Sequence, residues 1–300
     1  MPTELPAGGT NAVGRMLGQL GDEWTLLILQ QALLGATRYG QFAARLPISH
    51  AVLTRRLTAM AAEGLMARRT YQAKPPRSDY VLTPRGRALW PVLVSIWEWE
   101  RHWVPDHAER LPAMHHTTCN ADFTPALCCR ACGAGVTEKD VVAQWGPSGS
   151  WARSMPVHST RRRSTTDRAD GPAGMFPQTM SILGNRWGFA LLVAAFVGTS
   201  RFGDFQEQLG APPGSLADRL QLLTANGVLE AANGRYRLTE KGRAVFPILI
   251  TALQWAQRCF VAPEGPAVEL VHRGCGQSFD ATLTCDQCAG ALRGAHVATR

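Results

Sequence analysis

The sequence predicts a mainly α protein with small β wings, an α+β fold made of two winged helix-turn-helix domains, each followed by a short Cys/His hairpin tail. Three observations predict it: an internal repeat, the apolar spacing within each copy, and a cysteine pattern that recurs with the repeat. Leu20-Gly21-Asp22-Glu23-Trp24 returns as Leu183-Gly184-Asn185-Arg186-Trp187, an offset of 163. The same offset carries Arg38 to Arg201, Phe42 to Phe205, Leu53 to Leu216, Arg56-Leu57 to Arg219-Leu220 and Gly64 to Gly227. It then falls to 156, which carries Leu82-Thr83 to Leu238-Thr239, Gly86-Arg87-Ala88 to Gly242-Arg243-Ala244 and Pro91 to Pro247. The second copy therefore lacks seven residues between 65 and 80, the place of a loop.

Taken in order, residues 24–34 are a nearly continuous apolar run of helix length that stops at Gly35. Tyr39, Phe42, Ala43 and Leu46 share one face of a short amphipathic helix that Pro47 ends. Ser49 is a good N-cap for the next helix, whose buried stripe is Val52, Leu53, Leu57 and Met60 and whose stop is Gly64. Two short helices joined by a tight break are a helix-turn-helix. Residues 65–71 and 80–82 read as strands around the Pro-rich tip AKPPRSD, the wing. Thr83-Pro84 starts a long last helix that runs to about residue 103. The boundaries expected are 10–106 for the first winged helix and 112–142 for its tail, then 143–174 for a flexible linker, 175–262 for the second winged helix and 267–298 for its tail. The linker is rich in Ser, Gly, Pro, Thr and Arg, and its Arg161-Arg162-Arg163 is either a solvated run or an arm that grazes phosphates.

The motifs LGDEWTLLIL, RYGQFAARLP-IS, LTRRL, GL and PPRSDYVLTPRGRAL, in that order, resemble the HxlR family of winged-helix bacterial transcription regulators. The resemblance covers residues 14–104 and again 180–260. It implies a DNA-binding transcription regulator that dimerises through its terminal helices, so a tandem chain is expected either as a homodimer or as an intrachain pseudo-dimer. Many members carry a redox-sensing Cys before the first helix. That position here holds Asn11 in copy one and Gly174 in copy two, which removes that route of thiol sensing.

Charge distinguishes the copies. The chain's net charge is +8, with a pI near 9.4. Residues 37–87 carry ten Lys and Arg against two acids, whereas 200–243 carry six against five. A basic face is the electrostatic footprint of a polyanion partner. Ser49, His50, Thr54 and Arg55 suit a recognition helix, while the copy-two equivalents Pro212, Pro213, Ala217 and Asp218 do not. The candidate DNA contacts are thus Arg38, Ser49, His50, Thr54, Arg55, Arg56, Lys74 and Arg77, the alternative for each cation being a solvated face. Arg56 is shared with copy two as Arg219 and has a structural role as its equal alternative. Copy two keeps only Asn233-Gly234, a two-residue hairpin signal.

The pattern H-x2-C-x9-C-x2-C occurs twice, as His116, Cys119, Cys129 and Cys132 and as His272, Cys275, Cys285 and Cys288. One His and three Cys are the ligand number and type for tetrahedral Zn²⁺, so two structural zinc sites are expected, one within each tail. Redox-active thiols and disulfides are the alternatives. Each 17-residue segment is too small to bury a core of its own, and a hairpin is expected between its ligand pairs. Cys128 and Cys259 lack Cys counterparts, although Cys128 could replace Cys129. The Trp residues at 90, 97, 99, 103 and 255 suit core or dimer packing, or an aromatic effector pocket.

No apolar run exceeds the nine residues 189–197, and MPTELPAGGT lacks the basic and apolar regions of a signal peptide, so a cytoplasmic, nucleoid-associated protein is expected. No Walker loop, HExxH, GxSxG or GxGxxG appears, and four protein ligands would close a zinc site to catalysis, so no enzyme is expected. The leading expectation is a sequence-specific transcriptional regulator reading double-stranded DNA mainly with copy one, copy two serving dimerisation or regulation. The alternative is a protein-interaction or zinc/redox-sensing regulator whose winged helices no longer read an operator. Operator, effector and sign of regulation are not encoded in these motifs.

Overall fold

The computed structural model describes residues 1–72, 77–108, 111–155 and 176–300. Copy one runs Ala12–Leu20, Glu23–Leu33, Tyr39–Arg45 and His50–Ala62 as helices, then the antiparallel wing strands Met66–Gln72 and Arg77–Leu82. Copy two repeats this as helices Pro177–Leu183, Arg186–Phe196, Phe202–Leu209 and Pro213–Ala225 and strands Leu229–Ala232 and Arg235–Leu238. Asp22 and Asn185 start the equivalent second helices by accepting the backbone N–H of Thr25 and of Trp187. The two caps also form a β-bridge to each other, so the copies meet there. The copy-two wing turns on Asn233 and Gly234 at φ 52° and 70°, the left-handed pair that a tight hairpin requires.

The long last helix expected from 83 to 103 is two pieces, Pro84–Arg87 and Trp90–Trp103. Pro91 lacks an N–H and its ring crowds the carbonyl four residues back, so the helix cannot run through. Pro247 splits Glu240–Arg243 from Phe246–Cys259 in the same way.

The two copies share one hydrophobic core. The closing helix Trp90–Trp103 packs on its counterpart Phe246–Cys259, which also packs on Ala12–Leu20. Two equivalent hydrogen bonds cross between copies: the Trp99 indole N–H donates to the Lys241 carbonyl at 3.0 Å, and that of Trp255 to the Arg85 carbonyl at 3.0 Å. Residues 99 and 255, and 85 and 241, are related by the 156 offset. This reciprocity is the signature of a two-fold interface. It forms within the chain, from the two closing helices and the segments that precede them. The fully buried Glu100 adds an unsymmetrical contact by accepting the Thr179 N–H at 2.9 Å.

The expected linker is partly structured. Val141–Trp145 is a strand and Trp151–Ser154 a helical turn. The Asn11 amide, fully buried, donates to the Ser148 carbonyl at 3.1 Å and to Ser154 Oγ at 3.0 Å. Few apolar residues mark this stretch, because polar contacts hold it. Residues 156–174, with Arg161-Arg162-Arg163 and Gly174, lie outside the described residues, as does Lys74.

The tails fold together rather than separately. Met114–His116 and Ala121–Asp122 form a hairpin within tail one, but every other main pairing is exchanged. Pro125–Cys129 pairs antiparallel with Ala281–Cys285, Val141–Trp145 with Val268–His272, and Met114–His116 with Val297–Thr299. Leu127 sits opposite Leu283, its own repeat counterpart, at the centre of the first of these ladders. A second core results, in which Phe123, Leu127, Val136, Leu270, Phe279 and Leu283 pack beneath Val94 and Ile250 of the closing helices. Neither tail could bury this surface alone.

Candidate nucleic-acid interface and metal centres

Helix His50–Ala62 starts at Ser49, whose Oγ accepts the Val52 N–H at 3.4 Å. Leu53, Leu57 and Met60 are buried, leaving His50, Thr54 and Arg55 exposed on the opposite face. Tyr39 ties this helix to the preceding one. Its hydroxyl donates to the His50 carbonyl at 3.1 Å and accepts from Thr54 Oγ1 at 3.4 Å, and its ring stacks on His50 at 5.8 Å. Phe202 replaces Tyr39 in copy two and has no hydroxyl for this.

Arg38, before helix Tyr39–Arg45, and Arg77, at the tip end of the second wing strand, are exposed. They line a groove of about 550 Å³ with Arg68, Tyr39, Tyr71 and Tyr80. The Arg38 guanidinium lies 5.2 Å over the Tyr71 ring and 3.8 Å from Asp79, so it is aimed but still 64% exposed. Three guanidinium groups around one groove present a positive surface to phosphate oxygens. Arg68, exposed on Met66–Gln72, belongs to this face although no motif singled it out, while Arg69 is exposed on the other side of the strand. The signal available was the place of Arg68 on a strand of alternating direction beside the wing.

Arg56 departs from the group. It is turned toward the start of Glu23–Leu33 and pairs with Asp22 at 2.5 Å. In copy two the recognition helix starts at Pro212 with no side-chain cap, and Ala217 and Asp218 occupy its exposed face.

All eight expected ligands gather into two clusters, but not into those expected. His116 and Cys119 join Cys285 and Cys288, and Cys129 and Cys132 join His272 and Cys275. Each cluster thus takes the H-x2-C pair of one tail and the C-x2-C pair of the other. This corrects the expectation of one site within each tail. The cause is the extended strand between the pairs. Five residues, Pro125–Cys129, at about 3.3 Å each carry Cys129 away from Cys119 toward the far end of the ladder. There the His272–Cys275 knuckle of the other tail meets it.

The distances fit a tetrahedral ion. Zn–S and Zn–N bonds of about 2.3 and 2.0 Å give S···S and S···N tetrahedral edges of about 3.8 and 3.5 Å. Cys119 Sγ lies 3.8 Å from Cys285 Sγ, and His116 Nδ1 lies 3.2 Å from Cys119 Sγ and 3.5 Å from Cys288 Sγ. In the other cluster His272 Nδ1 lies 3.4 Å from Cys132 Sγ and 3.2 Å from Cys275 Sγ. A disulfide needs about 2.05 Å, and the eight cysteines are free. The Gly290 N–H pulls the Cys288 thiol below its ordinary range, whereas burial and the neighbouring Cys288 and Cys285 thiols push that of Cys119 above it. Gly290 also makes room, since a Cβ there would lie 3.2 Å from Cys288 Sγ. His115 is not a ligand: it is held between Asp122 at 2.9 Å and Asn120 at 3.1 Å. Cys128 faces Thr284 Oγ1 at 3.3 Å, so it does not replace Cys129.

The family model described as HxlR-like helix-turn-helix matches residues 19–108 and 182–263. Rv3095 of Mycobacterium tuberculosis, named an uncharacterized HTH-type transcriptional regulator, is 36% identical over 136 residues, covering 45% of this chain and 86% of that protein. YvaP of Bacillus subtilis, named likewise, is 37% identical over 86 residues, 28% of this chain and 80% of its own. The solved structure of PA1374 from Pseudomonas aeruginosa is 29% identical, with a TM-score of 0.36, and covers 47% of this chain and 97% of its own.

Proposed function

The chain belongs to the HxlR-like helix-turn-helix family of transcription regulators, and from that premise we propose that it binds specific DNA mainly through its first winged helix. The observation that supports this reading is the contrast between equivalent surfaces. Arg38, Ser49, His50, Thr54, Arg55 and Arg77 lie on or beside one exposed face of copy one, with Lys74 in the same wing by sequence. Copy two presents Asp218 where copy one has Arg55. A carboxylate there repels phosphates and base acceptors alike. Copy two then serves as the built-in partner: it completes the two-fold interface without a second reading head of equal strength. The chain acts as an intrachain pseudo-dimer on double-stranded DNA, with one strong and one weak half-site. Among the described residues no helix is long and apolar enough to cross a membrane.

The eight Cys and His ligands hold two structural Zn²⁺ ions in this reading, one bridging His116, Cys119, Cys285 and Cys288 and one bridging Cys129, Cys132, His272 and Cys275. With four protein ligands each site is closed, and the metal's role is to staple one tail to the other.

The test is a mobility-shift titration on the operator found by footprinting the protein's own promoter region. Arg55→Ala and Arg77→Ala are expected to weaken binding, by about 1–3 kcal/mol where a base contact is lost. A lost phosphate contact also flattens the log–log salt slope by about one unit. Arg235→Ala, whose side chain bonds Ser200 Oγ at 3.1 Å, is expected to change little. Equal losses from both copies would overturn the assignment to copy one.

A further inference from the structure

The two halves of the chain are not equivalent beneath the closing helices. Helix Trp90–Trp103 overlies a cleft of about 560 Å³ walled by Trp99, Trp103, Leu127, Val136, Phe246 and Leu283. Both copies and both tails contribute to it. Two polar atoms on this wall are buried without a hydrogen-bond partner: Ser95 Oγ, on a residue only 4% exposed, and Glu98 Oε2. Three residues apart on a helix, they face the same way.

The repeat shows why Glu98 is unpaired. The counterpart of Glu98 is Gln254, whose amide clamps the tail of its own copy: its Nε2 donates to the Phe279 carbonyl at 2.9 Å and its Oε1 accepts the Ala281 N–H at 3.0 Å. The residues matching 279 and 281 in tail one are Phe123 and Pro125. Pro125 has no N–H to offer, and a carboxylate cannot donate to the Phe123 carbonyl. The counterpart of Ser95 is Thr251, which satisfies itself by donating to the Pro247 carbonyl at 2.7 Å. The rim differs too. In the closed half Gly294 lies so near Trp90 that a Cβ would be 2.8 Å from its ring. The matching residue in the open half is Glu138, which stands off and pairs with Arg243 at 3.6 Å. Two substitutions relative to the repeat, Gln to Glu and Ala to Pro, thus remove a clamp and leave an acceptor on a cleft wall that also carries Trp99, Trp103 and Phe246.

We infer that this cleft is a binding site for a small organic cation, an ammonium group attached to an aromatic or branched apolar body. The ammonium meets Glu98 Oε2 and Ser95 Oγ, and the body lies against Trp99, Trp103 and Phe246. A buried acceptor without a partner is costly, and a charged donor satisfies it. Indole and phenyl faces also attract a cation. The volume is that of a small-molecule pocket. Burial raises the Glu98 carboxyl above its ordinary range, with Asp286 adding to the rise and Arg101 and His102 opposing it. Glu138 is paired with Arg243, and Glu240, Lys139 and His102 lie on the rim.

The test is calorimetric titration of the full chain, without DNA, by three probes of one shape: 2-phenylethylamine, 2-phenylethanol and phenylacetate. Because DNA is absent, the result is independent of the proposed regulatory role. The amine is expected to bind about tenfold or more tighter than the alcohol, and phenylacetate not to bind, since a charged hydrogen bond in an apolar site is worth at least that factor. Glu98→Gln is expected to erase the preference for the amine. Glu98→Gln with Pro125→Ala restores both halves of the copy-two clamp and is expected to abolish binding of all three. The inference is overturned if the wild-type chain fails to bind the amine at about 10 mM, binds it no better than the alcohol, or keeps its preference in Glu98→Gln. The three-probe comparison on the wild-type chain decides the matter even if a variant misfolds.

Discussion

Cys119→Ser/Cys288→Ser protein, purified under reducing conditions, is expected to retain about one zinc per chain by elemental analysis, and Cys119→Ser/Cys132→Ser almost none. The first pair of changes strikes one cluster twice, since Cys119 and Cys288 flank the same His116 Nδ1 at 3.2 and 3.5 Å. The second strikes each cluster once. If the ligands instead grouped within each tail, the two counts would be reversed. Wild-type protein should carry two ions. Wild-type protein without metal would end the zinc assignment and leave the thiols to redox chemistry. The expected structural cost is large, because structural zinc contributes about 10–16 kcal/mol of apparent binding free energy in zinc-finger peptides. Here that energy joins two tails, so a chelator should melt both at once. The winged helices should survive, because their core and the tail core are separate clusters of buried residues.

Trp255→Ala is expected to destabilise both winged helices together, by about 3–5 kcal/mol in urea unfolding. Trp255 is 1% exposed, its ring meets Phe260 edge-on at 5.9 Å, and its N–H donates to Arg85 of the other copy. Removing it opens a cavity at the seam and leaves the Arg85 carbonyl without this donor. One shared core implies one cooperative transition, so the loss should appear equally in probes placed in either copy. Two separate transitions, only the copy-two one shifted, would show that the copies fold independently. Single-domain behaviour of that kind is incompatible with the reciprocal Trp99 and Trp255 bonds.

Much of this was legible in the residues. Local rules placed the elements: Ser49 and Thr83 are caps, Gly35 and Gly64 take φ of 88° and 71° at helix ends, and Asn233-Gly234 turns the short wing. The ligands were also legible, because metal chemistry selects residue types and spacings within a few positions. The packing of residues 143–155 was not, since it depends on Asn11 more than 130 positions away.

The sequence by itself determined that the chain is a duplicated winged helix, that its charge lies in the first copy, and which eight side chains can hold metal. Only the tertiary structure decided how those side chains are shared. A repeated motif specifies the strands of both tails equally, so pairing within a copy and pairing between copies satisfy the same local pattern. The choice is made by burial. Exchanged strands join Leu127 to Leu283 and Phe123 to Phe279 in one core beneath both closing helices, while separate tails would leave those faces in water. Tertiary packing likewise sets Arg56 against Asp22 and leaves Glu98 facing a cleft, because each outcome depends on what a distant helix or the other copy brings alongside.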